Sequence, residues 1–258
     1  MMENAIFLTN TGYLDHANKG YSRLYFGQEF CERLLPLPNE LSKAVSCAKD
    51  TKIGFTLVTP YVTEKGLNQT RELLSLLVNR MPGAEVVIND WGVLHLVNDE
   101  FQKLQPILGR LLYKQKRDPR ISLLKNKRAI AQFPNCAFIE FLIQNRIKRV
   151  DSDTFPLFSC TGLNNPIIEG SLYYPFTYVA TTRSCVLAGC ENNQRKNLSG
   201  VFPCQKECQR FTFIIQSKMF PVNLFLKGNT QFFKNEKVPS NLEEKGINRL
   251  VRQLQIPI

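Results

Sequence analysis

The sequence predicts an α/β protein built as one domain over residues 1–258, an incomplete or modified (β/α) barrel of the TIM type with a hairpin-like segment near its carboxyl end. Three observations predict it. Extended apolar runs alternate with stretches of helical period through the first two thirds of the chain, and strand–helix alternation of that kind builds a parallel sheet with crossover helices. Polar and charged residues recur where the extended runs end, and in a barrel those ends share one face. No internal repeat, low-complexity segment or shift in composition marks a linker.

In chain order, KIGFTLVT (52–59) has the β-branched and aromatic content of a strand, and LNQTRELLSLLVNRM (67–81) follows it with Leu73, Leu74 and Leu77 at helical spacing. AEVVIND (84–90) is the next strand. WGVLHLVNDEFQKL then sets Leu94, Val97, Phe101 and Leu104 on one helical face. PILGRLL (106–112) is ambiguous by period, but Pro106 and Gly109 disfavour a long helix, so it is assigned to a buried strand. AFIEFLIQNRI reads as a helix, IKRVDSD as a strand and GSLYYPFTYVATT (170–182) as one further strand. RFTFIIQSKMFPVNLFLKG, after Cys208, reads as a hairpin.

The composition bounds the class. A chain of 258 residues with 43% hydrophobic and 10% aromatic content can bury a sizeable core without staples. Its start, MMENAIFLTNTGYLDH, lacks the basic region and long apolar run of a signal peptide, and no run approaches the roughly 18 apolar residues of a membrane span. A cytoplasmic, reducing setting is therefore expected, in which eight cysteines point to metal ligation before disulfides.

The formal charge of +11 is uneven, since residues 109–128 hold Arg110, Lys114, Lys116, Arg117, Arg120, Lys125, Lys127 and Arg128 against Asp118 alone. That stretch fits a solvated basic face, an RNA or phosphate contact, or a site for a small carboxylate. Thr59-Pro60-Tyr61, Asn89-Asp90, Arg110 and Asp151-Ser152-Asp153 close strands, and Thr181-Thr182-Arg183 leads into Cys185. Each taken singly fits a cap or a turn; together on one barrel face they outline a site.

Residues 183–208, RSCVLAGCENNQRKNLSGVFPCQKEC, contain four cysteines. Cys204 and Cys208 form C-x3-C, close enough along the chain for two sulfurs to reach one metal centre. Cys185 and Cys190 lie upstream across a polar loop. With only His16 and His95 in the chain, an all-thiolate site is favoured, and its spacing leaves an iron–sulfur cluster and structural zinc both open. A radical-SAM triad would need a third cysteine at position 211, which is Phe211.

YFGQEFCERL, EVVINDWGVLHL, GRLLYKQKRDPR and the late C-x3-C pair, in this order across residues 20 to 210, resemble the collagenase-like peptidase U family and within it the UbiV-like branch of anaerobic ubiquinone-biosynthesis subunits. The resemblance implies a modified barrel and a 4Fe-4S cluster on Cys31, Cys185, Cys204 and Cys208. Cys190 is an additional thiol that competes with Cys185 for the second place, while Cys47, Cys136 and Cys160 are assigned to packing. Proteolysis finds no H-E-x-x-H and no histidine beside a plausible nucleophile. The family implies instead a component of an O2-independent hydroxylation system acting on a quinone precursor or similar aromatic, or on RNA bases, paired with a second family member as a heterodimer. On that reading Asp90, Asn89 and Asp151 are the catalytic candidates. Tyr61, Arg110, Arg120 and Arg183 would bind substrate or a small carboxylate oxygen donor such as prephenate. The alternative is a non-catalytic iron–sulfur or zinc scaffold with a protein or RNA partner.

Overall fold

Eight short strands carry apolar side chains on both faces, which suits a parallel sheet covered outside by helices and filled inside by its own residues. In the computed structural model, which describes residues 2–113, 117–120, 136–153, 168–191 and 202–258, these strands close into a barrel. They are β1 (Glu3–Leu8), β2 (Arg23–Gly27), β3 (Gly54–Val58), β4 (Glu85–Ile88), β5 (Gln105–Leu108), β6 (Arg149–Ser152), β7 (Glu169–Tyr174) and, last in the chain, β12 (Ile247–Gln253). All neighbours in the barrel pair in parallel, and β12 seats between β7 and β1. The barrel is therefore closed, and its modification lies elsewhere: between β7 and β12 the chain inserts a second sheet.

That sheet is antiparallel, in the order β8-β11-β10-β9, from β8 (Phe176–Thr181), β9 (Phe213–Ile215), β10 (Leu224–Lys227) and β11 (Thr230–Lys234). The expected single strand over 170–182 is thus two strands in two sheets, parted at Tyr174–Pro175, because proline has no amide hydrogen to continue the ladder. The expected hairpin after Cys208 is β9 against β10, with Leu224 opposite Ile215.

Helices α1 (Pro38–Asp50), α2 (Glu64–Arg80), α3 (Trp91–Glu100) and α4 (Cys136–Gln144) fall between successive barrel strands from β2 to β6. Their apolar stripes, including Leu41, Val45, Leu73, Leu77, Val93 and Val97, pack on the outward residues Leu24, Phe26, Phe55, Leu57, Val86 and Ile88. Alternate residues of the same strands, among them Phe7, Tyr25, Val58, Val87, Ile107, Tyr173 and Val251, fill the interior. Gly27 ends β2 with φ of 136°, and a Cβ there would stand 2.2 Å from the Val58 carbonyl oxygen. Only glycine lets β2 turn out against β3 at this point, and the turn delivers the segment containing Cys31.

Charge also fills the interior. At one end Arg249 bonds Glu3 (Nε to Oε2, 2.6 Å), Glu85 through two nitrogens (2.7 and 3.0 Å) and the Tyr25 hydroxyl (2.7 Å). At the other, Arg110 is fully buried between Glu29 (Nε to Oε1, 2.9 Å) and Asp153 (Nη1 to Oδ1, 2.7 Å), with its guanidinium 4.2 Å from the Tyr173 ring centre. Arg117 also pairs with Asp153 and lies 4.1 Å from the Tyr178 ring centre. Part of the basic stretch is therefore internal structure, whereas Lys114, Lys116, Lys125, Lys127 and Arg128 lie outside the described residues. Among the described residues no helix is long and apolar enough to cross a membrane.

Candidate functional site

Three cysteine-bearing segments meet where the inserted sheet packs against the carboxyl face of the barrel. Cys31 follows the exit of β2, Cys185 lies in the turn after β8, and Cys204 and Cys208 flank a tight turn before β9. The C-x3-C spacing is folded by Lys206, whose φ of 61° is left-handed and whose amide donates to Cys204 Sγ at 3.4 Å. Glu207 fastens this turn to the Cys185 loop: its buried carboxylate accepts from the Gly189 amide (2.6 Å) and the Gln205 amide (3.0 Å).

Cys31, Cys185, Cys204 and Cys208 all line one cavity of 260 Å³, together with Arg33, Tyr61, Arg183, Phe202 and Asn229. Burial pushes the Cys31, Cys185 and Cys208 thiols up, Cys208 to about 11, and neighbouring thiols add to each shift. Cys190 is absent from the lining and packs instead, beside Cys185, against the apolar cluster of Phe30, Tyr178 and Phe232. Cys47 lies far off on α1, with Sγ 3.8 Å from the Leu14 carbonyl oxygen. The side chain of Cys136, and Cys160 altogether, lie outside the described residues.

The donor set tests what the cavity fits. Thiolates bind zinc at about 2.3 Å, so four around one ion would crowd to about 4 Å of one another. Among the described residues no three His, Cys, Asp or Glu side chains are grouped closely enough to hold a single ion. Thiolates that each bind a different iron of a cluster stand farther apart. The four cysteines that line the cavity are of the donor type that a thiolate-ligated cluster takes.

An open groove of 340 Å³ adjoins the cavity, lined by Tyr61, Asn89, Asp90, Trp91, Leu111, Leu112, Tyr178, Thr181, Thr182 and Arg183. Tyr61 and Arg183 line both spaces, the guanidinium 5.7 Å from the Tyr61 ring centre. Asn229 ties this wall together. Its amide nitrogen lies 2.7 Å from the Phe30 carbonyl, 2.6 Å from the Tyr61 hydroxyl and 2.7 Å from the Thr182 carbonyl.

The polar residues predicted from strand ends have distinct places. Asn89 is buried, donating to the Thr59 carbonyl (2.8 Å) and accepting from the Leu111 amide (3.0 Å). Asp90 caps α3, accepting from the Gly92 amide (2.7 Å) and the Val62 amide (3.2 Å). Both line the groove, but their hydrogen-bonding atoms already serve the framework. Three expectations need correction. Arg110 is no substrate contact, because Glu29 and Asp153 hold its guanidinium inside the barrel. Asp151 is fully buried in the interior under Tyr173, whose hydroxyl donates to it at 2.7 Å. Arg120 lies at the surface, paired with Asp118 at 5.3 Å from the Phe220 ring centre, and lines neither the cavity nor the groove. Arg183 and Tyr61 do line both. Asn229, Glu207 and Trp91 went unread, although a Gly-Asn pair between two apolar runs signals a hairpin turn.

No family model and no curated protein matches the chain. Among solved structures, the U32 peptidase Mk0906 is similar over 100% of this chain and 95% of its own, with a TM-score of 0.50 and 12% identity. A GH18 chitinase from Cycas revoluta (TM-score 0.42, 8% identity, 97% and 94% covered) and D-psicose 3-epimerase from Clostridium cellulolyticum H10 (0.42, 10%, 98% and 84%) are also similar. At these identities the likeness to the U32 peptidase shows the barrel fold alone.

Proposed function

We propose that this chain is a U32-like, UbiV-type subunit that holds a 4Fe-4S cluster on Cys31, Cys185, Cys204 and Cys208 and serves an O2-independent hydroxylation of a quinone precursor or similar aromatic, beside a second family member. The observation that carries the reading is that four thiols from three separate stretches of chain line one cavity. A bound cluster would supply one-electron chemistry, and with every iron thiolate-ligated it would leave no site for substrate. The protein's own groups divide the remaining work. Glu207 and Asn229 hold the ligand-bearing segments in register, and Tyr61 and Arg183 separate the cavity from a groove where substrate binds. Arg183 is the arginine left for the carboxylate of a substrate or of an oxygen donor, since Arg110 is internal and Arg120 lies outside the groove.

Peptidase activity draws no support from the side chains. His16 sits in the turn Thr11–Asn18, His95 is exposed on α3, and neither lines the cavity or the groove. Purified without oxygen, the chain is expected to be brown, with about four irons and four sulfides. Alanine at Cys31, Cys185, Cys204 or Cys208 should remove most of the iron, while Cys47→Ala and Cys190→Ala keep it. Stoichiometric zinc in a colourless protein would sink the cluster. A cluster that mild reductant leaves unchanged would favour the scaffold role.

A further inference from the structure

We propose that the groove on the carboxyl face of the barrel is a binding site for a small planar aromatic ligand bearing one anionic group, its ring on Trp91 and its charge at Arg183. The substrate role of this ligand rests on the cluster reading above; its binding does not.

The groups around the groove leave few open contacts. Asn89 and Asp90 spend their side chains on backbone groups, Thr182 Oγ donates to the Ser184 carbonyl at 2.7 Å, and the Tyr61 hydroxyl donates to the Thr182 carbonyl at 2.6 Å. What is left is apolar and aromatic surface from Trp91, Leu111, Leu112 and Tyr178, and one guanidinium. Trp91 is 45% exposed although it meets Phe141 edge-on at 5.4 Å, so a ring can still lie on the indole.

Among the described residues Arg183 is the only cation that lines the groove, and it forms no ion pair with any of them. Residues 114–116, 121–135, 154–167 and 192–201, which lie outside the described residues, contain no aspartate or glutamate, so they hold no carboxylate side chain for it. The groove's one acid, Asp90, is offset by the amino end of α3 that it caps. An unpaired guanidinium beside aromatic surface is complementary to a ring carrying a carboxylate. The volume of 340 Å³ lies at the small end of ligand pockets, which run from about 300 to 1,000 Å³. Because Arg183 and Tyr61 also line the cysteine cavity, the charged end of such a ligand would face that cavity.

Trp91 is the only tryptophan, so intrinsic tryptophan emission reports this groove directly. Full-length protein purified without oxygen would be titrated with benzoate, benzyl alcohol and acetate, with iron measured on the same samples. Benzoate should perturb the emission and bind about ten-fold or more tightly than either of the others, the worth of one charge-assisted contact. Arg183→Met should reduce benzoate to the level of benzyl alcohol. Arg71→Met, which removes an exposed cation paired with Glu100 between α2 and α3, should leave benzoate binding unchanged. Equal binding of benzyl alcohol and benzoate, full benzoate affinity in Arg183→Met, or equal losses in the two variants would overturn the proposal. Iron present without benzoate binding overturns the groove alone, and benzoate binding without iron overturns the cluster alone.

Discussion

Asn229 shows how much one side chain can hold. Its two amide protons serve acceptors on three segments, the Phe30 carbonyl beside Cys31, the Tyr61 hydroxyl and the Thr182 carbonyl before Cys185, within 2.6–2.7 Å. Asn229→Ala should cost about 2–4 kcal/mol, the sum of one or two buried acceptors left without donors. Asn229→Asp keeps the volume but turns a carboxylate on three oxygens, so it should be no better. Chelator-driven iron loss faster than wild type in both, measured well below their melting points, is the outcome expected of a residue that positions Cys31 and Cys185; unchanged release rates would leave it a packing residue. Asp90 poses the opposite question, whether a groove carboxylate is more than a cap. Asp90→Ala should lose about 1 kcal/mol of stability, and Asp90→Asn, which can still accept from the Gly92 amide but not also from the Val62 amide, should lose less. Anaerobic hydroxylation that survives in Asp90→Asn would confine Asp90 to capping, and loss of hydroxylation at normal stability would give it a chemical part.

At the scale of elements, closure depends on β12, whose inward Arg249 ties Glu3 of β1 to Glu85 of β4 across the barrel. Arg249→Met leaves Glu3 and Glu85 to share Arg23 alone, and the expected cost is about 3–5 kcal/mol in urea unfolding; a loss below about 1 kcal/mol would mean that Arg23 suffices for both. The same arginine explains why β12 was not legible in the sequence. INRLVRQ sends Arg249 and Gln253 inward, so polar residues interrupt the apolar run that marks a buried strand. The strands β3 and β4 and helices α2 to α4 were legible because their apolar residues keep a clean period or bounded runs. Arg110 misled for a related reason: its partners are 81 and 43 residues away, and a cation whose acids are that distant reads as solvent-facing. Spacing shows only Cys204 and Cys208 as a pair. Cys31 joins them because β2 and the inserted sheet meet in space, which no local pattern encodes, and only the resemblance pointed to it.

Across the whole molecule, the barrel interior balances its charges in pairs with one exception. Glu3 and Glu85 face Arg23 and Arg249 at one end, and Glu29 and Asp153 face Arg110 and Arg117 at the other. Asp151, between them, forms no ion pair among the described residues; one carboxylate oxygen takes the Tyr173 hydroxyl and the other has no hydrogen-bond partner among them. Burial pushes its carboxyl up to about 7, with Tyr173, Ser171 and Arg249 opposing the rise and Glu29 adding to it. The folded protein therefore holds a proton that the unfolded chain gives up near pH 4. Below that pH both states are protonated and this term is fully present. As pH rises from about 4 to 7 the unfolded chain ionises while Asp151 stays neutral, so stability falls by about 1.4 kcal/mol per pH unit, and above 7 the loss is complete. Asp151→Asn stays neutral throughout and can still accept from Tyr173. Relative to wild type it should gain stability between pH 4 and pH 8, by at most about 4 kcal/mol, with no gain at pH 4. Urea unfolding of both proteins at pH 4, 6 and 8 tests this, and curves that run parallel across that range would show that Asp151 is ionised in the fold beside a compensating charge or water.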